Sequence, residues 1–251
     1  MKALILAAGR GDRLGIKDES RNKCMLKLRG GYVIEYSLAS IASMDIEETI
    51  IVVGHQAESI INAFGTSYDI GNSGFGGWGM PIRYVFQREQ KGLVHAIDCA
   101  KDALGGEDFA LFLGDEVLIN PKHEAMLKKF EEEELFAICG VLVERDRKKI
   151  CGTYAVLQDE DGKMYRLIEK PRNPPNDIKG TGNCIFRNQI LSFIERTPIH
   201  PERGERELPD LIQCAIDGGQ LVKSFIICDE YANINTDDDL QESLNMTAEL
   251  R

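Results

Sequence analysis

Apolar and polar positions alternate through the first half of the chain in the pattern of strands joined by helices. Short apolar runs predict buried strands at Ala3–Ala8, Thr49–Val53, Ile82–Phe86 and Phe109–Leu113. Apolar residues at helical spacing predict the intervening helices at Tyr32–Met44, Ala57–Phe64 and Gly92–Leu104. This alternation favours a mostly parallel sheet covered by helices on both faces.

The pattern changes in the second half, where predicted strands follow one another closely. They lie at Leu135–Val143, Thr153–Gln158 and Lys163–Glu169, and the turn-forming residues Asp159–Gly162 separate the last two. We interpret these strands as a small antiparallel insertion. The predicted fold class is therefore α/β: a Rossmann-like three-layer α/β/α arrangement with a mixed, mostly parallel central sheet.

Helical spacing returns towards the C-terminus. It is carried by Leu208, Leu211, Ile212, Ala215 and Ile216, and is followed by a predicted strand at Leu221–Ile227 and a last helix that begins near Thr236. The Thr236 hydroxyl can cap this helix by accepting a hydrogen bond from a backbone N–H of its first turn. The three aspartates after Thr236 are also favourable there, because the N-terminus of a helix is positive. Gly65–Pro81 is left as the one long irregular stretch, which we predict to be a surface loop near the functional site.

Size and charge limit the possible functions. A chain of 251 residues fits one or two domains, and we predict a single domain over residues 1–251. Thirty Lys and Arg against 41 Asp and Glu give a net charge of −11, which argues against a general nucleic-acid binder. A few cations focused in a cleft can still bind small anions.

The apolar runs, the cysteines and the histidines indicate where the protein acts and whether it binds zinc. The apolar runs are shorter than the ~18 residues that span a bilayer, and the N-terminus does not resemble a signal peptide. The 7 cysteines are scattered without a C-x-x-C pair, which predicts reduced thiols in the cytoplasm. The 4 histidines are equally dispersed, so no zinc site is predicted, and we interpret His55 and His95 as structural residues.

A glycine-rich segment follows the first strand. Gly9 and Gly11 offer backbone N–H groups free of side-chain obstruction, which suits binding of phosphate oxygens. The dinucleotide fingerprint G-x-G-x-x-G would need a third glycine where Leu14 stands, and the Walker pattern does not follow. A nicotinamide-dependent oxidoreductase is therefore disfavoured.

The segment Leu6–Leu14, followed by Lys23, resembles the signature of the sugar-1-phosphate nucleotidylyltransferases, particularly the glucose-1-phosphate thymidylyl- and uridylyltransferases. The resemblance implies that the glycine-rich backbone and Arg13 hold the β- and γ-phosphates of a nucleotide. It also implies that Lys23 reaches the phosphates near the reacting centre. Arg13, Lys23 and Asp115 are the implied catalytic residues.

Four further motifs match the family in the same order along the chain. They are Gln87–Leu93, Leu111–Asp115, Glu169–Pro171 and Arg203–Asp210. The resemblance implies nucleotide binding at Leu6, Ala8, Gly9, Gly11, Gln87 and Gly92, and sugar-phosphate binding at Gly152, Glu169, Lys170 and Arg203. Residues 1–115 would then form mainly the nucleotide-binding half, and residues 135–235 mainly the sugar-phosphate half.

The implied metal is Mg²⁺, held by Asp115 and by a second ligand at Asn233. Close relatives carry aspartate at the second position, whereas this chain reads Asn233-Ile234-Asn235-Thr236. An amide oxygen still suits a hard cation, but one negative charge is lost. We therefore expect weaker affinity for free magnesium, with the metal arriving on the nucleotide.

The resemblance implies an enzyme that transfers a nucleotidyl group from a nucleoside triphosphate to a sugar 1-phosphate, releasing pyrophosphate. The side-chain amide of Gln87 and the backbone amide of Gly92 suit the hydrogen-bonding edge of a pyrimidine base. Uracil, thymine and cytosine all remain possible bases. Transfer to a phosphorylated polyol or amino-alcohol is an alternative, as is a non-catalytic subunit that senses nucleotide sugars. The expected partners are these small molecules, without nucleic acid or membrane, and relatives of this type are commonly homo-oligomeric.

Overall fold

The computed structural model describes residues 1–9, 22–69 and 79–249. Within them, a ten-stranded mixed sheet runs in the order β11-β10-β12-β7-β1-β4-β6-β5, with β9 paired to β12 and β13 paired to β9. The strands are β1 (Lys2–Ala7), β2 (Lys27–Leu28), β3 (Gly31–Tyr32), β4 (Glu48–Val53), β5 (Ser67–Asp69), β6 (Gly79–Phe86), β7 (Phe109–Leu113), β8 (Glu116–Ile119), β9 (Ala137–Val143), β10 (Tyr154–Gln158), β11 (Met164–Glu169), β12 (Ile178–Phe186), β13 (Val222–Ile226) and β14 (Glu230–Asn233).

Helices cover both faces of this sheet. They are α1 (Ile34–Ala42), α2 (Ala57–Phe64), α3 (Gly92–Cys99), α4 (Lys101–Leu104), α5 (His123–Glu132), α6 (Arg147–Ile150), α7 (Leu208–Asp217) and α8 (Asp237–Met246). Short 3₁₀ segments lie at Lys23–Met25, Asn188–Arg196 and Thr247–Glu249. Among the described residues, no helix has the length and apolar character needed to cross a membrane.

Strand β1 shows why the fold has three layers. Its side chains alternate between the two faces of the sheet, and both sets are apolar. Leu4 and Leu6 pack in the core formed with α3, α4 and α7. Ala3, Ile5 and Ala7 pack in the second core, formed with α1, α2 and α5. A strand buried on both sides in this way is typical of the parallel centre of an α/β sheet.

The predicted fold class is confirmed. Strand β1 pairs in parallel with β4 and β7, and β4 pairs in parallel with β6. Of the three strands of the predicted antiparallel insertion, the last two form the β10–β11 hairpin, whereas β9 pairs antiparallel with β12 and in parallel with β13. The predicted cap is also present, since the Thr236 hydroxyl accepts from the Asp239 N–H and the Asp239 carboxylate accepts from the Thr236 N–H.

Strand β12 is the principal element that the sequence pattern did not predict. It runs antiparallel to β7 and β9, at the centre of the second half. The glycines of β12 lack the side chains by which a strand is recognised in a sequence. The packing nevertheless requires glycine at these positions. A Cβ on Gly180 would lie 2.0 Å from two ring carbons of Tyr154, and one on Gly182 would lie 2.2 Å from Cγ of Leu113.

Two predicted boundaries differ from the structure. The helix predicted over Gly92–Leu104 is divided at Ala100 into α3 and α4. The ends of the predicted irregular stretch Gly65–Pro81 are strand, because β5 pairs antiparallel with the first residues of β6. The described residues of that stretch do not line the site cavity, and residues 70–78 lie outside the described part of the chain. Gly11 and Arg13 also lie outside it.

Candidate active site

A cavity of about 580 Å³ opens at the carboxyl ends of β1 and β7. In open α/β sheets this edge is where ligands bind. Every described residue that the sequence analysis assigned to a site lines this cavity: Leu6, Ala8, Gly9, Lys23, Gln87, Gly92, Asp115, Gly152, Glu169, Lys170, Arg203 and Asn233. Residues from both halves of the chain therefore meet at one place.

Lys23 and Asp115, which both line the cavity, form a direct ion pair. Asp115 is 7% exposed, so its charge needs a partner. Lys23 begins a 3₁₀ turn that is fixed by buried Asn22. The Asn22 amide donates to the carbonyls of Ala7 and His55, each across 2.9 Å, and its Oδ1 accepts from the Cys24 N–H. Asn22 thus joins the turn to the end of β1.

Asn233 reaches the cavity through main-chain pairing. Strand β14 pairs with β8, which places Asn233 opposite Glu116, and the Ile234 N–H donates to the Asp115 carbonyl across 2.9 Å. The Asn233 Oδ1 accepts from Nδ2 of Asn235 across 2.9 Å. Asn235 also accepts from Lys23 Nζ across 3.4 Å. Asn235 is a polar contact that the sequence analysis did not assign.

The donor set at this point fits magnesium. Hard cations take oxygen ligands, and Asp115 and Asn233 offer a carboxylate and an amide oxygen. No group of three or more His, Cys, Asp or Glu gathers as a ligand set among residues 1–9, 22–69 and 79–249. Such a pair suits an ion that takes its other ligands from phosphate and water.

The end of the cavity near β6 presents amide groups. Gln87 directly follows β6 and is buried, and its Nε2 donates to the Gly92 carbonyl across 3.1 Å. Gly92 begins α3 with a φ of +87°, where a side chain would be strained, and a Cβ there would lie 2.9 Å from Glu205. Glu205 is a further cavity residue that the sequence analysis did not single out.

Another part of the cavity is lined by paired charges. Glu169 Oε1 lies 3.1 Å from Lys170 Nζ and 3.4 Å from a terminal nitrogen of Arg203, and Arg203 Nε donates to Glu207 across 2.6 Å. Burial raises the pKa of Glu169 above its ordinary value, while the positive charges of Lys170 and Arg203 oppose that shift. Lys170 has a φ of +43°, which is uncommon for a residue with a side chain. Gly152 adjoins this group, and its N–H donates to the Lys149 carbonyl across 3.4 Å.

A buried polar network around Glu116 also lines the cavity. Glu116 accepts from the Tyr231 hydroxyl across 2.6 Å, from Asn183 Nδ2 across 2.7 Å and from the Gly182 N–H across 2.9 Å. Burial raises the pKa of Glu116 to about 7, against the opposing effect of the Tyr231 hydrogen bond. No sequence motif pointed to this network, although the apolar residues Val117–Ile119 indicate a buried strand.

The network continues from Asn183 to His123. Nε2 of His123 lies 2.8 Å from the Asn183 Oδ1. Because that amide oxygen only accepts, the imidazole donates from Nε2 and leaves Nδ1 as an acceptor. Nδ1 is buried without a hydrogen-bond partner. Burial lowers the pKa of His123 to about 4.

The chain is similar to known nucleotidyltransferases. The sequence model of the Nucleotidyl transferase family matches residues 2–243. A UTP–glucose-1-phosphate uridylyltransferase, AglF, of Haloferax volcanii is 31% identical over 229 residues, covering 90% of this chain and 88% of that protein. The low-salt glycan biosynthesis nucleotidyltransferase Agl11 of the same organism is 29% identical over 251 residues, covering 99% of this chain and 66% of that protein.

A glucose-1-phosphate thymidylyltransferase of Streptomyces antibioticus is 30% identical over 228 residues, and this chain covers 60% of its length. The chain therefore spans about two thirds or less of some of these relatives. Among solved structures, a UDP-glucose pyrophosphorylase complexed with UDP-glucose superposes with a TM-score of 0.85 at 21% identity, covering 100% of this chain and 99% of that one. At that identity the likeness concerns the fold.

Proposed function

This chain belongs to the nucleotidyl transferase family, and on that premise we propose that it joins a nucleoside triphosphate to a sugar 1-phosphate and releases pyrophosphate. The observation that carries the proposal is the arrangement of charge in one cavity. The same cavity is lined by Asp115, which is paired with Lys23, by the amide of Gln87, and by Lys170 and Arg203, which are paired with Glu169 and Glu207. Two anionic reactants can be held there with their phosphates meeting at the centre.

The reaction needs no covalent enzyme intermediate. An oxygen of the acceptor phosphate attacks the α-phosphorus in line and forms the new P–O bond, while the bond from the α-phosphorus to the bridging oxygen breaks. That electron pair leaves with pyrophosphate. Both reactants are negatively charged, so positioning and neutralisation of charge supply most of the catalysis.

Each group of residues has a proposed part in this step. Asp115 and Asn233 would hold a magnesium ion, which would supply positive charge to the α-phosphate and the acceptor phosphate. Lys23, now paired with Asp115, would then be released towards the α-phosphate and the departing pyrophosphate. Arg13, which lies outside the described residues, is proposed to hold the β- and γ-phosphates with the backbone of Gly9 and Gly11.

The part of the cavity lined by Lys170 and Arg203 is proposed to hold the acceptor. Lys170 and Arg203 would bind its phosphate, and Glu169 would accept hydrogen bonds from sugar hydroxyls. Gly152 would contribute its N–H once that group turns from the long contact with the Lys149 carbonyl. We further propose that the reaction occurs in the cytoplasm, since all 7 cysteines are free thiols.

A matrix of the five common nucleoside triphosphates against sugar 1-phosphates, with Mg²⁺ and release of pyrophosphate as the readout, tests the proposal. We expect release with a pyrimidine triphosphate and at least one sugar 1-phosphate. Preferential use of ATP or GTP would defeat the pyrimidine assignment. A polyol or amino-alcohol phosphate should be included, since its preferential use would change the acceptor class. If no combination of triphosphate and acceptor released pyrophosphate, the proposed function would be wrong.

A further inference from the structure

The second proposed metal ligand, Asn233, is an amide, and the two ends of an amide differ chemically. A carboxylate presents an oxygen to a cation whichever way it turns, whereas an amide presents either an oxygen or an NH₂ group. Only the oxygen suits a hard cation such as Mg²⁺. Asn233 therefore binds such an ion well only when its side chain is held the right way round, a requirement that an aspartate at the same position would not have.

The Asn235 side chain is held in one orientation by two neighbours. Its Oδ1 accepts from Lys23 Nζ across 3.4 Å, and an ammonium group can only donate. Its Nδ2 donates to the main-chain carbonyl of Asn233 across 3.4 Å, and a carbonyl oxygen can only accept. Both contacts are long, but they require the same orientation. If the Asn235 amide turned over, each contact would set like against like.

Asn235 in turn determines which end of the Asn233 amide faces it. Asn235 Nδ2 lies 2.9 Å from Oδ1 of Asn233. Because Nδ2 donates, the facing atom of Asn233 must be an oxygen and not a nitrogen. An amide oxygen has two lone pairs, so this Oδ1 can accept from Asn235 and still bind a cation in the cavity that both residues line.

The main chain at Asn235 is fixed independently of this side chain. Its N–H donates to a carboxylate oxygen of Asp239 across 2.9 Å, and the same oxygen accepts from the Thr236 N–H across 2.8 Å. These bonds belong to the cap of α8. They do not involve the Asn235 side chain, so replacing that side chain should leave the cap intact.

We propose that Asn235 is a positioning residue that turns the Asn233 amide oxygen towards the metal. Lys23 sets the direction, because it can only donate to Asn235, which then donates to Asn233. When Lys23 turns to the α-phosphate, the contact with the Asn233 carbonyl still holds the Asn235 amide in place. The inference rests on the proposed function, because a cation at Asp115 and Asn233 belongs to that proposal.

Neutron diffraction from the unaltered protein, exchanged into D₂O, tests the orientation directly. We expect deuterium on Asn235 Nδ2, pointing at Asn233 Oδ1. Deuterium on the Asn233 amide, pointing at Asn235, would overturn the inference. This measurement requires neither turnover nor a substitution.

The affinity for Mn²⁺, which prefers the same oxygen ligands as Mg²⁺, tests the consequence and is measured by electron paramagnetic resonance. In Asn235→Ala the Asn233 amide loses the donor that orients it. We expect the Kd for Mn²⁺ to rise about tenfold, as for the loss of one hydrogen bond. Asn62→Ala removes an amide at an exposed position on α2 and should leave the Kd unchanged. Where free Mn²⁺ binds too weakly to measure, the Mg²⁺ concentration for half-maximal rate gives the same comparison.

A carboxylate at position 233 separates positioning from a structural role. Asn233→Asp has an oxygen at either end, so adding Asn235→Ala to it should raise the Kd less than about twofold. A merely structural role for Asn235 would raise the Kd equally in both backgrounds, and that result would overturn the inference. An unchanged Kd in Asn235→Ala alone would overturn it as well.

The outcomes also distinguish this inference from the proposed function. Pyrophosphate release with a metal affinity that does not depend on Asn235 would reject the positioning role and leave nucleotidyl transfer intact. The expected orientation and affinities without pyrophosphate release from any substrate would reject the proposed function and leave the positioning of Asn233 standing. If Asn235→Ala fails to fold, the neutron measurement decides.

Discussion

The carbonyl oxygen of Asp115 accepts a hydrogen bond from the Ile234 N–H across 2.9 Å. This bond joins two segments that lie more than a hundred residues apart in the chain, and it holds the proposed metal ligands in a fixed relation. Asp115 follows β7, whereas Asn233 ends β14. The position of the second ligand therefore depends on the β8–β14 pairing and not on a loop.

Asp115→Ala should abolish nearly all turnover while the protein stays folded. The substitution removes the carboxylate proposed to hold the metal, and we expect pyrophosphate release to fall by at least about 10³-fold. Circular dichroism would establish that the fold persists. Asp102→Ala, at an exposed position on α4, should keep normal turnover. Undiminished release by purified Asp115→Ala would show the metal assignment to be wrong.

Asn233→Asp should strengthen the binding of free magnesium. It restores a second carboxylate to the site, and the Asn235 amide can still donate to it. We expect the Mg²⁺ concentration for half-maximal rate to fall about tenfold at fixed nucleotide. Asn62→Asp adds the same charge at an exposed position on α2 and should have no such effect. A Mg²⁺ requirement that stays the same in Asn233→Asp would exclude Asn233 as a ligand.

Arg203→Ala should impair binding of the acceptor more than binding of the nucleotide. Loss of a charge-assisted contact to phosphate raises the KM for the acceptor by about 10- to 100-fold. Arg203→Lys should recover part of this loss, because the charge is kept. The control is Arg206→Ala, whose guanidinium contacts the Thr197 carbonyl and does not line the cavity. A larger effect on the KM for the triphosphate would place Arg203 at the other substrate.

His123 should make unfolding depend on pH. Burial lowers its pKa to about 4 from 6.5, so between these values the unfolded chain binds a proton that the folded protein does not. The free energy of unfolding should therefore fall as the pH decreases from 6.5 to 4, by up to about 3 kcal/mol from this residue.

Urea unfolding of His123→Gln and the unaltered protein, compared at several pH values, measures this contribution. Glutamine does not titrate but can still donate to Asn183. The stability advantage of the unaltered protein over the variant should be largest near pH 7 and shrink as the pH decreases towards 4. A constant difference between the two proteins across that range would contradict the buried neutral state of His123.

Much of the fold follows from the sequence because its strands carry strong signals. Residues 3–7 of β1 and 109–113 of β7 are apolar at consecutive positions, which is typical of central strands. Thr236 with the aspartates after it indicates the start of α8. Strand β12 gave no such signal. Its positions 179–183 are Lys, Gly, Thr, Gly and Asn, and their burial depends on partners that only the tertiary structure supplies.

The site likewise contains residues that sequence motifs predicted and contacts that they did not. Lys23, Asp115 and Arg203 belong to recognisable motifs, and the structure gathers them at one cavity. Their supporting contacts could not be predicted, because they join residues distant in sequence: Glu116 with Tyr231, and Asn22 with His55. His95 was interpreted as structural, and its hydrogen bond to Gln87 shows which structure it supports. Spacing along one chain does not specify such pairings.

Gly180 restricts how this molecule can be redesigned. Any larger residue at position 180 must displace the ring of Tyr154. That ring is buried, and its hydroxyl donates a hydrogen bond to the Thr181 carbonyl across 2.9 Å. If position 180 is randomised in a library, we expect the functional variants to carry glycine there. Efforts to broaden acceptor scope should instead vary Glu205, which lines the cavity and lies outside the strands of the central sheet.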